Sequence, residues 1–175
     1  MMRRSVILLS FILVFALSAL AALGQTQVFT SEHVEYTFDL PSPTWRVVAQ
    51  PDGTHQHLEL VYGDRMDGFL QIRKEVVDAE TNTSALAQRD QEMKLRFLPG
   101  YVDGKEGKGE RFAGRLNGVT ISYEYTAGGK PMIGRIYYLQ ADNRTIYTLR
   151  FTGLRDKLSL IRNQTDSIAR SFKLK

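Results

Sequence analysis

The chain has 175 residues, of which 23 are Lys or Arg and 19 are Asp or Glu, giving a formal net charge of +4. Positive and negative residues are interspersed, whereas a nucleic-acid-binding protein concentrates its positive charge on one face or arm. Composition therefore indicates neither a nucleic-acid partner nor an anionic membrane surface. Cysteine is absent, which excludes disulfides and a lipid anchor on an amino-terminal cysteine.

Residues 1–24 have the layout of a secretory signal peptide. Arg3 and Arg4 form a positive start, and the run 6–23 carries no charge. Small residues then precede the polar sequence that begins at Gln25. This order of a cationic end, an apolar centre and a small-residue cleavage site predicts export.

We expect signal cleavage after Ala21 or after Gly24, and a secreted or periplasmic protein made of one domain over 25–175. The uncharged run is close to the length of about 20 residues that spans a bilayer. An uncleaved amino-terminal anchor is therefore the alternative to cleavage.

The first four predicted elements are strands of an antiparallel meander. Apolar and polar residues alternate over 33–40, which is typical of a strand with one buried face. Pro41-Ser42-Pro43 ends this strand. Three more short strands follow, over 45–49, 58–62 and 69–77, and their turns are predicted at Pro51-Asp52-Gly53, Gly63-Asp64 and Asp67-Gly68.

Residues 84–98 contain neither Gly nor Pro and are predicted to form a helix. One narrow stripe carries the apolar side chains that we expect to face the sheet: Leu86, Met93 and Phe97. Thr83 or Ser84 is expected to cap the start of the helix, and Pro99-Gly100 is expected to end it.

A Gly-rich stretch over 104–109 is predicted to be a flexible connection, with an extra strand near Arg111 as an alternative. Three strands follow, over 118–126, 132–140 and 145–152, with turns at 128–131 and at Asp142-Asn143. The middle strand carries bulky apolar residues on both sides. This pattern predicts a central strand that is covered on both faces.

The last predicted element is an amphipathic helix that follows Thr152-Gly153. Its apolar stripe consists of Leu154, Leu158, Ile161, Ile168 and Phe172. Four strands, a helix, three strands and a helix predict an α+β fold. The expected architecture is a mostly antiparallel sheet of about seven strands with two packed α-helices.

Three short motifs resemble the PsbP-like and Mog-like α/β/α sandwich superfamily, which includes bacterial secreted domains of unknown function. They are Tyr36-Thr37-Phe38-Asp39-Leu40-Pro41 followed by Trp45, Leu98-Pro99-Gly100-Tyr101 followed by a strand from Gly118, and Ile168-Ala169-Arg170-Ser171-Phe172. The resemblance covers about residues 30–175, and the motifs that carry it consist of residues with structural roles, such as core aromatics. It implies a PsbP/Mog-like sandwich.

That superfamily contains photosystem accessory proteins and a regulator of a small GTPase. The resemblance therefore implies a non-enzymatic accessory or binding module, with another envelope or secreted protein as its partner. Fold alone does not select one function from this group.

Three histidines are candidate metal ligands: His33, His55 and His57. His55 and His57 lie on the same side of an extended segment, and His33 lies opposite the apolar side of its strand. Because a zinc site needs three or four converging ligands, we predict solvated histidines and no metal or other cofactor. Weak Zn or Cu binding by His55 and His57 is the alternative.

The Gly-rich stretch does not fit a phosphate-binding template. Gly104, Gly107 and Gly109 alternate with Lys105 and Lys108, but no G-x-x-x-x-G-K-[ST] run is present. A G-x-G-x-x-G run is also absent. A connection between elements is the favoured interpretation.

The sequence predicts no catalytic residue and no enzyme. It has neither cysteine nor a G-x-S-x-G nucleophile motif, and Ser84, Ser122 and Ser171 lie in ordinary helix or strand contexts. Glu75 and Glu124 are candidates for an acid/base pair. Ion pairs with Arg73 or Arg135 are a more ordinary role for these two carboxylates, and a hydrolase is the least favoured function.

Aromatic residues concentrate on the last three strands: Tyr123, Tyr125, Tyr137, Tyr138 and Tyr147. We expect most of them in the core, with some lining a cleft between the sheet and the last helix. A small-ligand or metal-binding protein that uses this cleft is the alternative to a protein-binding accessory module.

Overall fold

The structure is a computed structural model that describes residues 26–52 and 57–175, and of residues 105–109 it describes the backbone alone. The predicted signal peptide and His55 lie outside the described residues. The strands are β1 (Gln27–Phe29), β2 (Tyr36–Leu40), β3 (Trp45–Ala49), β4 (Leu58–Tyr62), β5 (Asp64–Val76), β6 (Val102–Arg111), β7 (Asn117–Ala127), β8 (Lys130–Gln140), β9 (Thr145–Leu154) and β10 (Lys173–Leu174). The α-helices are α1 (Thr83–Met93), α2 (Arg155–Leu160) and α3 (Arg162–Ser171), and single 3-10 turns occupy Leu95–Phe97 and Ala113–Arg115.

Seven strands form the main sheet in the order β3-β4-β5-β9-β8-β7-β6, and every neighbouring pair is antiparallel. A separate three-stranded sheet has the order β1-β2-β10. The α+β prediction is confirmed. The predicted four-strand meander is wrong in one respect, because β2 pairs with β1 and β10 instead of joining β3.

Two apolar clusters, one on each face of the main sheet, make the molecule an α/β/α sandwich. On one face, Phe38 of the small sheet and Phe172, which follows α3, pack with Tyr137 of β8. On the other face, Leu86 of α1 packs in a cluster with Tyr138 of β8. Consecutive residues of β8 thus enter opposite clusters, which confirms its prediction as a strand covered on both faces.

The apolar stripe predicted for the first helix is wrong. Leu86 is buried, but Met93 is 68% exposed and Phe97 is 78% exposed. The helix ends at Met93, and the chain continues into a 3-10 turn that buries Leu95 instead. Once the helix ends, the helical spacing no longer determines which residues face the sheet.

Polar groups fix the start and the inner face of α1. The Asn82 side chain, instead of Thr83 or Ser84, caps the helix by accepting a hydrogen bond from the Ala85 amide at 2.9 Å. Asp90 is buried on the inner face, where its carboxylate accepts hydrogen bonds from the Tyr138 hydroxyl at 3.2 Å and from Lys94 Nζ at 2.6 Å.

Two glycine-based predictions are corrected. The stretch 104–109 belongs to β6, an edge strand, so the predicted extra strand exists and the flexible connection does not. A Cβ at position 104 would lie 2.5 Å from the Ser122 carbonyl oxygen, so the glycine permits close strand approach. Gly68 lies inside β5 instead of a turn, and a Cβ there would lie 3.1 Å from Ile161 Cδ1.

The predicted last helix is divided into α2 and α3 at Ile161, whose backbone leaves helical geometry at φ −103° and ψ 18°. Thr152, Gly153 and Leu154 belong to β9. The remaining members of the predicted stripe are buried as expected: Leu158, Ile161, Ile168 and Phe172. Because of this break, α2 and α3 are two short helices that pack separately against the sheet.

Candidate functional site

A cleft of about 550 Å³ lies between the β6–β8 part of the main sheet and helices α2 and α3. The sheet contributes Glu110, Thr120, Ser122, Ile133 and Arg135. The helices contribute Leu158, Ser159, Arg162, Thr165, Asp166 and Arg170. We call these eleven residues the cleft. Its size falls within the range of about 300–1,000 Å³ that is usual for ligand pockets.

Strand register and helix spacing bring the polar side chains of the cleft together. On the sheet, Ser122 pairs directly with Arg135, so both side chains project from the same face. On α3, Arg162, Asp166 and Arg170 follow one another at intervals of four residues, which aligns them along one side of the helix. The cleft therefore has two polar walls, one formed by the main sheet and the other by α3.

Ion pairs cross the cleft at two places. Arg135 Nη2 donates to Asp166 Oδ1 at 3.0 Å, and Arg170 Nη2 donates to Glu110 Oε2 at 2.9 Å. The Tyr137 hydroxyl donates to the same oxygen of Asp166 at 2.5 Å. Within the described part of the chain, Arg162 forms no ion pair. The cleft thus holds one more positive than negative charge.

Two buried polar atoms of the cleft have no hydrogen-bond partner among the described residues: Thr120 Oγ1 and Arg135 Nε. Thr120 is only 4% exposed. An unpaired buried donor costs about 1–3 kcal/mol of stability, so natural proteins keep few of them. Both belong to one cleft, where a ligand with acceptor oxygens could pair with them.

A second cavity, of about 580 Å³, is lined by residues that include His33, Glu35, His57, Lys74 and Tyr147. The Glu35 carboxylate accepts hydrogen bonds from Lys74 Nζ at 2.5 Å and from the Tyr147 hydroxyl. The hydrogen bond from Lys74 lowers the pKa of Glu35, while burial raises the pKa of Tyr147. These three polar groups satisfy one another, whereas Thr120 Oγ1 and Arg135 Nε of the cleft have no partner among the described residues.

His33 and His57 line the same second cavity, but they do not form a metal centre with the other described residues. His33 is exposed and His57 pairs with Glu59, its Nε2 lying 2.8 Å from Oε1. Over residues 26–52 and 57–175, no group of three or more His, Asp or Glu side chains is arranged to hold a metal ion. The weak-binding alternative for His55 and His57 involves a residue outside this part.

Glu75 and Glu124, the candidate acid/base pair that the sequence disfavours, do not lie together. Glu75 lies on β5 and Glu124 on β7, with β9 and β8 between them, which places the strands about 14 Å apart. Glu124 instead contacts Arg155, Oε2 to Nη1, at 3.3 Å. Arg135, which was expected to pair with Glu75 or Glu124, instead forms an ion pair with Asp166 of α3.

The three candidate serines have structural surroundings. Ser171 Oγ accepts a hydrogen bond from the Asp39 amide at 2.9 Å and donates to the Ile168 carbonyl at 3.1 Å. Ser84 is exposed in the first turn of α1. Ser122 lines the cleft, but no histidine belongs to that lining to activate it.

A cleft between the sheet and the last helix exists where the sequence predicts one, but the tyrosines do not line it. Tyr123, Tyr137, Tyr138 and Tyr147 are buried in the core, and Tyr125 packs against it. Sequence reasoning missed the charged lining residues. The available signal was Arg135, a charged residue among apolar neighbours on the inner side of β8, together with the four-residue spacing on α3.

Comparison with known proteins identifies a fold. No protein-family model matches the sequence, and neither does any curated protein. Solved structures do match, with the Ran-binding protein Mog1p of Saccharomyces cerevisiae at a TM-score of 0.60, 9% identity and coverage of 86% of this chain and 96% of Mog1p.

Two bacterial structures are similar to the same extent. LpqN of Mycobacterium tuberculosis, which is involved in cell envelope biogenesis, has a TM-score of 0.58 at 15% identity, covering 86% of this chain and 92% of LpqN. The cyanobacterial PsbP of Synechocystis has a TM-score of 0.56 at 12% identity, covering 88% of this chain and 95% of its own. The chain therefore has the PsbP/Mog-like fold. Among the residues that the structure describes, no helix has the length and apolar character needed to cross a membrane.

Proposed function

Starting from this PsbP/Mog-like fold, we propose that the chain is an exported, non-enzymatic accessory module that binds a small envelope ligand in the cleft. The unpaired Thr120 hydroxyl and Arg135 Nε carry the proposal. Each unpaired buried group lowers the stability of the fold, and a bound molecule that forms hydrogen bonds with both groups would restore that stability. The signal-like layout of residues 1–24 supports export.

Binding without chemical conversion fits the polar groups of the cleft. Its two carboxylates, Glu110 and Asp166, are each paired with an arginine. Its hydroxyl groups have no adjacent histidine among the lining residues. A hydrolase of the serine–histidine type needs a hydroxyl nucleophile that is activated by a neighbouring histidine, and the described cleft residues include no histidine.

A ligand screen on the mature domain tests this proposal. We expect at least one member of a panel of sugars, sugar acids, phosphorylated sugars and amino acids to raise the melting temperature. The same compound should shift the backbone NMR signals of Thr120 and Arg135, and mass spectrometry should recover it unchanged. Signals that move only around the second cavity, or a converted compound, would contradict the proposal.

A second candidate function is docking of a secreted protein on the opposite face of the molecule. Met93 and Phe97 lie four residues apart and are largely exposed, and such apolar groups mark protein contacts when they form a patch. Cross-linking in envelope extract should then capture a partner with the native chain and lose it with Phe97→Ser. Equal capture by both proteins would rule this surface out.

Export itself is tested by the amino terminus of the protein found in the envelope fraction. We expect the mature chain to begin at Ala22 or at Gln25, as the two candidate cleavage positions require. A protein that retains residues 1–24 in the membrane fraction would support the anchor instead.

A further inference from the structure

We infer that the cleft recognises a small monocarboxylate rich in hydroxyl groups, of the sugar-acid type. This inference rests on the proposed function, since it names the ligand class of the same site.

The charge balance selects a single negative charge. Three arginines and two carboxylates line the cleft, so that one positive charge is left over. A carboxylate neutralises this surplus. A phosphate monoester, with close to two charges, would overcompensate it beside Glu110 and Asp166.

The donor groups match a carboxylate. Asp166 already occupies Nη2 of Arg135, and Nε remains unpaired. Thr120 adds a hydroxyl without a partner. An arginine edge combined with a neighbouring hydroxyl suits the two acceptor oxygens of a carboxylate, and exposed Arg162 adds a further cation from the helix side.

The rest of the lining suits a hydroxylated carbon skeleton. Glu110 and Asp166 supply carboxylate oxygens that accept hydrogen bonds from ligand hydroxyl groups. Ser159 is exposed and offers a further hydroxyl. Ile133 and Leu158 provide apolar surface for the C–H groups of a sugar ring.

Ligand entry requires side chains to move. Thr120 Oγ1 and Arg135 Nε are covered by their neighbours, so an incoming carboxylate must displace some of them. Arg162 and Arg170 are both exposed and, being long and flexible, can move aside.

Three probes with the same carbon skeleton test the inference on the mature domain by NMR titration: D-glucuronate, D-glucose and D-glucose 6-phosphate. We expect D-glucuronate to move the backbone signals of Thr120, Arg135 and Arg162. It should bind at least about tenfold more tightly than the neutral sugar, the value of one charge-assisted hydrogen bond. The phosphate should bind more weakly than the glucuronate.

Matched variants tie this binding to the cleft. Arg162→Gln removes a cation that has no ion pair in the described structure, and Thr120→Val removes the unpaired hydroxyl. Each should weaken D-glucuronate binding about tenfold. Arg89→Gln removes the same charge from the exposed side of α1, beyond the opposite face of the sheet, and should leave the Kd unchanged.

The outcomes separate this inference from the proposed function. Absence of glucuronate binding at 10 mM (about the limit of a weak site), equal binding of glucose, or tighter binding of the phosphate would each overturn the monocarboxylate. If another panel compound then occupies the cleft, the proposed function stands without it. If no compound moves the cleft signals, both proposals fail.

Discussion

Arg135 and Asp166 join the main sheet to the last helix through a contact of 3.0 Å between Nη2 and Oδ1. Their side chains are 18% and 26% exposed, so water screens the pair only in part. Asp166 also accepts the hydroxyl hydrogen of buried Tyr137. One carboxylate therefore satisfies two donors from β8 at the edge of the cleft.

Asp166→Ala should lower the free energy of unfolding by about 2–3 kcal/mol, because it leaves a largely buried guanidinium and a tyrosine hydroxyl without their acceptor. Glu110→Ala, which breaks the pair with the more exposed Arg170 (53%), should cost less than about 1 kcal/mol. Urea unfolding at pH 7 measures both. Equal losses of unfolding free energy in the two variants would mean that Asp166 is not the main link between the sheet and the last helix.

Thr120→Val should raise the free energy of unfolding by about 1 kcal/mol, because valine removes an unpaired buried hydroxyl at similar size. Thr165→Val is the matched control. Thr165 is also buried, but its hydroxyl donates to the Arg162 carbonyl at 2.8 Å, so its replacement should destabilise the protein. The two variants should shift the urea midpoint in opposite directions, and a loss at position 120 would show that its hydroxyl is satisfied.

Glu59 should give the stability a dependence on acidic pH. Burial alone would raise its pKa, but hydrogen bonds from His57 and Gln71 and the charge of Arg65 outweigh it and leave the pKa below 4.5. A lowered folded-state pKa means that the carboxylate stabilises the fold above the unfolded-state pKa. That contribution is lost as the pH falls through the folded-state pKa.

Glu59→Gln should therefore cost about 1 kcal/mol at pH 7, and the difference from the native protein should shrink by pH 3. Urea unfolding at both pH values provides the comparison. Glu80→Gln changes an exposed carboxylate and should have little effect at either pH. A cost for Glu59→Gln that is unchanged at pH 3 would disprove this role.

Gly134→Ala should destabilise the protein by about 2 kcal/mol through overpacking. A Cβ at position 134 would lie 2.1 Å from Cζ of Tyr123, whose ring is buried across the β7–β8 pair. In a Tyr123→Leu background, where the ring is absent, the same change should cost less. A thermal-unfolding cycle over the four proteins measures this coupling, and additive costs would contradict it.

Local patterns predict seven of the strands, but β1 and β10 are missed and β6 is given only as an alternative. Residues that are placed by distant contacts are not predictable from local pattern. The sequence bounds 45–49 and 58–62 agree with β3 and β4, because each has a regular pattern between clear turns. Met93 and Phe97 were assigned to the core from helical spacing, but the helix ends at Met93. Where that end falls depends on packing against β7 and β8.

Gly68 and the cleft are further examples of positions that depend on contacts between residues distant in sequence. Gly68 resembles a turn residue in sequence, yet it lies in β5 beside Ile161, a contact that only the fold creates. The cleft combines β6, β7, β8, α2 and α3, and its pairs join residues as distant in sequence as Glu110 and Arg170. The local signs in the sequence are Arg135, a charged residue on an otherwise apolar strand face, and the four-residue spacing of the charged residues on α3.

The pairing of β10 with β2 also constrains the order of folding. Leu174 pairs with Tyr36, and the Lys175 amide donates to the Glu35 carbonyl at 3.0 Å. A strand near the start of the described chain thus receives one of its two neighbours from the final residues. The small sheet cannot close until Lys173 and Leu174 have left the ribosome or a translocation channel. Closure therefore waits for nearly all of the described chain, and a chain stalled before Lys173 would leave one edge of β2 open.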